Sequence, residues 1–99
     1  MAWKNFEYTL VGGTPQALAT SKAVGKTLII QPKRANSHVI YVGGSSVSTS
    51  NGFELAIPQA NQPLDRVAME SGYQSGLDLR SIYVIGTSGE GVQGMYEEF

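Results

Sequence analysis

Turn-forming residues interrupt this chain about every eight to twelve positions, which is the spacing of an all-β sandwich or barrel and not of helices joined by loops. Twelve Gly and four Pro make most of the breaks. They fall at Gly12-Gly13-Thr14-Pro15, Pro32, Gly43-Gly44, Asn51-Gly52, Pro58 and Pro63, Gly72 to Gly76, and Gly86 to Gly91.

Between the breaks the residues follow strand periodicity. Phe6, Tyr8 and Leu10 share one face while Glu7 and Thr9 share the other, which predicts a half-buried strand. Gln16 to Thr20 predicts a weak second strand and Ser21 to Gly25 a turn. In Lys26 to Gln31, Leu28 and Ile30 face the core, and Pro32 ends the run. His38 to Val42 is rich in the β-branched and aromatic types that suit a pleated surface. Asn51-Gly52 is a strong turn signal, and the alternation after it predicts Phe53, Leu55 and Ile57 as a core triplet. Leu64 to Met69, Leu77 to Arg80, Ser81 to Ile85 and Val92 to Phe99 complete eight or nine strands with no helix. In the last of these Gly94 weakens the strand and Glu97-Glu98 favours fraying. Leu77 and Leu79 occupy odd positions, whereas Ile82 and Val84 are expected inside, so the parity changes near Arg80 or Ser81 and a β-bulge there would accommodate it. Ile40 to Ser46 is similar to Ile82 to Ser88 with one inserted residue. Two equivalent sandwich strands would explain this, and so would the general likeness of buried strands that end in Gly-Ser turns; one repetition is not a solenoid.

At 99 residues the chain forms one domain spanning 1–99, since a second core requires a much longer chain. Charged residues make up 15%, below the usual quarter, so the polar surface is built from Ser, Thr, Asn, Gln and Gly. A formal net charge of −1, with no basic stripe, gives no electrostatic footprint for nucleic acid or an anionic membrane. The absence of Cys removes disulfides, thiolate nucleophiles and Cys-containing zinc sites. No apolar run approaches the roughly 20 residues of a membrane-spanning helix. Met1 to Phe6 lacks the basic and apolar segments of a secretory signal, so the expectation is an unprocessed chain made in the cytoplasm, with residues 1–5 as an interaction arm.

The search for catalytic chemistry returns little. His38 is the only imidazole, opens a predicted strand and has no metal or helical spacing around it, so it reads as a solvated strand end. The acidic residues are scattered over outward positions without the pattern of a calcium loop. Gly86 to Gly91 superficially resembles a phosphate cradle, but it lacks the Lys and the following helix, and Glu90 within it would repel phosphate. No catalytic, cofactor-binding or metal-ligating residue is assigned, and the chain is not expected to be an enzyme. Most aromatics fall in strands and read as core. Trp3, Tyr73, Tyr96 and Phe99 lie near the termini or in a loop, where aromatics serve as anchors in protein interfaces.

The order Asn36, Val39-Ile40-Tyr41-Val42-Gly43, Ser46-Val47-Ser48, Asn51-Gly52-Phe53-Glu54-Leu55 and Leu79-Arg80-Ser81-Ile82-Tyr83-Val84-Ile85-Gly86 resembles small virion proteins of tailed bacteriophages. These include β-sandwich or jelly-roll cement (decoration) proteins, which sit on the outside of the head and bridge neighbouring capsid subunits. The resemblance covers roughly residues 36 to 95. Where a Pro-Gly turn is expected after the Gly-x-x-Leu segment, this chain has Ala56-Ile57-Pro58-Gln59-Ala60-Asn61, so that loop is expected to differ in length or contacts. The resemblance implies an all-β, single-domain antiparallel β-sandwich of jelly-roll type on the outer capsid surface. Its implied partners are the major capsid protein and further copies of itself, as a dimer or trimer. Two alternatives remain open: a head-to-tail connector or fibre-attachment component of the virion, and a carbohydrate-binding module using Trp3 or Tyr73 as a sugar platform.

Overall fold

A computed structural model describes residues 2–70 and 76–98. Among these residues nine strands run in chain order: β1 (Trp3–Thr9), β2 (Gln16–Ala17), β3 (Val24–Pro32), β4 (Ile40–Gly43), β5 (Phe53–Leu55), β6 (Val67–Glu70), β7 (Leu77–Asp78), β8 (Tyr83–Ile85) and β9 (Gly91–Glu98). They form two antiparallel sheets, one ordered β1-β9-β3-β6 with β7 also on β3, the other β2-β8-β4-β5. The pairing is nested: β1 pairs with β9, β2 with β8, β3 with β6 and β7, and β4 with β5. That is one long hairpin of the whole chain rolled over itself, the jelly-roll arrangement of a β-sandwich.

The core lies between the sheets. Leu28 and Ile30 of β3, Ile40 and Val42 of β4, Leu55 of β5, Val84 of β8 and Val92 of β9 are completely buried, with Leu10 and Leu79 closing the ends. Leu28 and Ile30 face inward as their alternation predicts. In β4 and β8, which carry the similar segments, Tyr41 stands opposite Ile85 and Val42 opposite Val84, so the repetition marks two adjacent core strands of one sheet.

Several expectations need correction. The first strand begins at Trp3, so residues 3–5 of the expected arm are paired with Glu97, Tyr96 and Met95. The second strand shortens to Gln16–Ala17, and the fourth starts at Ile40 instead of His38. The core triplet holds only at Leu55, the last residue of β5, an edge strand paired with β4 alone. Phe53, at the start of β5, and Ile57, beyond its end, are 68% and 39% exposed. The parity change after Leu79 is not a bulge. Leu79–Ser81 form a 3-10 turn that carries the chain from β7, in the first sheet, to β8, in the second. Asp78 caps this turn by accepting from the Arg80 backbone N–H, and the Leu79 N–H donates to the Ala23 carbonyl. A register irregularity does occur, but in β3 between Gly25 and Thr27.

Candidate functional site

The two sheet faces and the two loop ends place the polar and exposed apolar side chains in distinct regions. At the end formed by the β1–β2, β3–β4, β5–β6 and β8–β9 connections, a polar clamp is built around Asn36 and Glu90. Asn36 is buried; its carboxamide donates to the Gly91 carbonyl at 2.7 Å and accepts from the Gly91 N–H at 3.0 Å. The Glu90 carboxylate accepts from the backbone N–H groups of Ser37 and His38, both at 2.6 Å. The Gly86 to Gly91 loop thus does meet an anion cradle, but the cradle is the backbone of residues 37–38 and its anion is Glu90 itself. Burial pushes the Glu90 carboxyl upward, yet the two backbone donors and the neighbouring imidazole outweigh it and hold the group below the ordinary range.

Ser37, His38 and Glu90 lie together without forming a catalytic relay. Ser37 Oγ and Glu90 Oε1 approach the same ring nitrogen, His38 Nδ1, at 3.2 and 3.3 Å. A relay needs the acid on one imidazole nitrogen and the nucleophile on the other, so His38 cannot take a proton from Ser37 while held by Glu90. Among the described residues no group of three or more His, Asp or Glu side chains is placed to hold a metal ion. No helix among them is long and apolar enough to cross a membrane.

Of the four predicted interface aromatics, Trp3 is 46% exposed. Tyr96 turns inward opposite Leu28, packs at the margin of the core and lies 6.5 Å from the Phe6 ring in a tilted arrangement. Tyr73 and Phe99 lie outside the described residues. Sequence reasoning missed the β5 edge, where Phe53 and Ile57 flank buried Leu55. The loop that follows, Ala56 to Asn61, is held from two sides. Arg34 Nη1 donates to the Gln59 and Gln62 carbonyls at 3.0 and 2.9 Å, and the Asp65 carboxylate accepts from the Ala56 N–H at 3.0 Å. Asn61 adopts a positive φ of 63° there, a conformation Asn tolerates.

A groove of about 740 Å³ also lies over the first sheet. Its lining includes Asn5 and Glu7 of β1, Gln93 and Met95 of β9, and Ile29 and Gln31 of β3. Their common outward direction follows from register: Asn5 and Ile29 each stand opposite Met95, and Glu7 and Gln31 each opposite Gln93, between the inward rows of Leu28 and Ile30. Gly94 lies in the groove, where strands β9 and β3 approach closely. A Cβ at Gly94 would collide with the Ile29 carbonyl and come within 3.0 Å of Phe6 Cε1. The glycine that weakens β9 by propensity is thus required by its packing. The sequence signal for this face was the polar half of each alternation, which is equally the signature of an ordinary solvated face.

In comparisons with protein-family models, curated proteins and solved structures, the chain matches none.

Proposed function

We propose that the chain is a structural component of a tailed-bacteriophage virion, a cement protein that binds the outer head surface and bridges neighbouring capsid subunits. The observation that carries this reading is the β5 edge. Phe53, on a strand bonded to β4 alone, and Ile57, just beyond its end, stand exposed on either side of buried Leu55. An apolar strand edge of this kind gains by pairing with a protein neighbour, through main-chain hydrogen bonds and removal of apolar surface from water. The edge falls inside the Asn51-Gly52-Phe53-Glu54-Leu55 segment that carries the virion resemblance. Exposed Trp3 and Val11 offer further apolar contact points. A module that binds only the assembled shell stabilises it by mass action, with no catalytic residue needed.

The test is the stoichiometry of this chain relative to the major shell protein in purified particles, measured by quantitative mass spectrometry. Abundance in a simple ratio to the shell protein supports the cement reading. A few copies per particle move the chain to the head-to-tail connector or the fibre base. Absence from particles overturns the virion reading.

A further inference from the structure

We infer that the outward face of the β1-β9-β3-β6 sheet is a saccharide site, and that the groove over Gly94 takes a neutral oligosaccharide. Small-ligand sites occupy about 300–1,000 Å³, and this groove, at about 740 Å³, lies within that range. The choice of ligand follows from the chemistry of its lining. Asn5, Gln31 and Gln93 present three carboxamides, and each carboxamide offers two N–H donors beside a carbonyl acceptor. Sugar hydroxyls are donors and acceptors at once, so adjacent hydroxyls match a carboxamide edge. Among the described residues, none of these three side chains has its hydrogen-bonding capacity consumed by a protein partner, in contrast to Asn36 and Gln16.

Charge selects against an ionic ligand at the groove centre. Glu7 lies at the β1 flank and is paired with Lys33 at 3.5 Å. Arg66 lies at the β6 flank. Strands β9 and β3 separate the two flanks, a span of about 14 Å at the usual strand spacing. What lies between is uncharged: Gln93, Gln31, Met95 and Ile29. Met95 and Ile29 stand opposite each other in register and give the C–H face of a sugar ring an apolar floor. Gly94 adds only backbone to the lining, since its position belongs to the core-facing row with Phe6 and Ile30. Trp3 lies two residues from Asn5 on the same face of β1 and exposes its indole beyond the groove, where a second sugar unit could stack.

The experiment uses the isolated full chain, so its outcome is independent of whether the chain is found on particles. A glycan array with neutral and acidic members selects a ligand, and its titration is followed by amide chemical shifts and calorimetry. The expected result is binding of neutral oligosaccharides, with shifts centred on Gln31, Gln93 and Met95. The double variant Gln31→Ala/Gln93→Ala is expected to bind at least tenfold more weakly at an unchanged melting temperature. Thr27→Ala, on the same strand outside the groove lining, is expected to bind as the unaltered chain does. Absence of saccharide binding at millimolar concentration, binding restricted to acidic saccharides, or an undiminished affinity in the double variant would overturn the inference.

Discussion

Among single residues, the polar side chains that matter most are those whose hydrogen bonds replace missing strand pairing. Asn36 was legible only as a loop residue, because no periodicity marks a side chain that pairs with a backbone group 55 positions away. Asp78 and Glu90, among the acidic residues scattered over outward positions, likewise carry no local signal of their partners. Asp78 is held at about 2 by the side-chain hydrogen bonds from Arg80, then by the Arg80 backbone N–H, against a smaller opposing effect of desolvation. Both carboxyls therefore lie below their ordinary values, and the folded state binds fewer protons than the unfolded state in acid. The stability they confer is complete above the ordinary carboxylate pKa of about 4 and is lost on acidification below it, for Asp78 as pH falls toward about 2. Thermal melting between pH 7 and pH 2 should show a falling midpoint on this acid limb, and Asp78→Asn with Glu90→Gln should flatten it. A midpoint that rises on acidification, or an acid limb unchanged in the double variant, would contradict these assignments.

At the level of elements, periodicity located the strands but could not say which of them lie at sheet edges. Phe53, Leu55 and Ile57 have identical alternation, and Phe53 and Leu55 each stand opposite a fully buried residue of β4, Val42 and Ile40, yet only Leu55 is enclosed; Ile57 lies beyond the end of β5. The same limit explains the β7 to β8 passage. Two runs of opposite parity suggested a bulge within one strand, whereas they belong to two sheets joined by the Leu79–Ser81 turn. Edge and core can be separated by substitution. Leu55→Ala should cost about 2 to 5 kcal/mol in chemical denaturation, as for a fully buried leucine. Phe53→Asp should leave the unfolding free energy within about 0.5 kcal/mol, as for an exposed site, and, on the proposed cement function, should weaken any pairing through this edge, with particles or between copies. Sedimentation and particle-binding assays read the second effect. A large loss of stability in Phe53→Asp would instead return Phe53 to the core.

The whole molecule is governed by closure between its two ends. Turn spacing and alternation made the all-β class legible, and the order of segments pointed to a jelly roll. The register could not be read, because nested pairing joins residues nearly the full chain apart, and no local signal in β1 names β9. This closure changes what the first residues do. Of the seven register pairs between β1 and β9, Trp3, Lys4 and Asn5 supply three, opposite Glu97, Tyr96 and Met95. The segment is thus part of the sheet and also presents Trp3 to solvent. Removing residues 1–5 strips the β9 backbone of pairing beside Tyr96 and Phe6, which pack against the core. The truncated chain should therefore melt several degrees below the full chain, whereas Trp3→Ala, which keeps the backbone ladder, should melt close to it. Amide exchange locates the difference: truncation should accelerate exchange at Met95 to Glu97, while β4 and β8 remain protected. If truncation and Trp3→Ala left melting and exchange equally undisturbed, residues 1–5 would act as a free arm and the β1 pairing would begin only at Phe6.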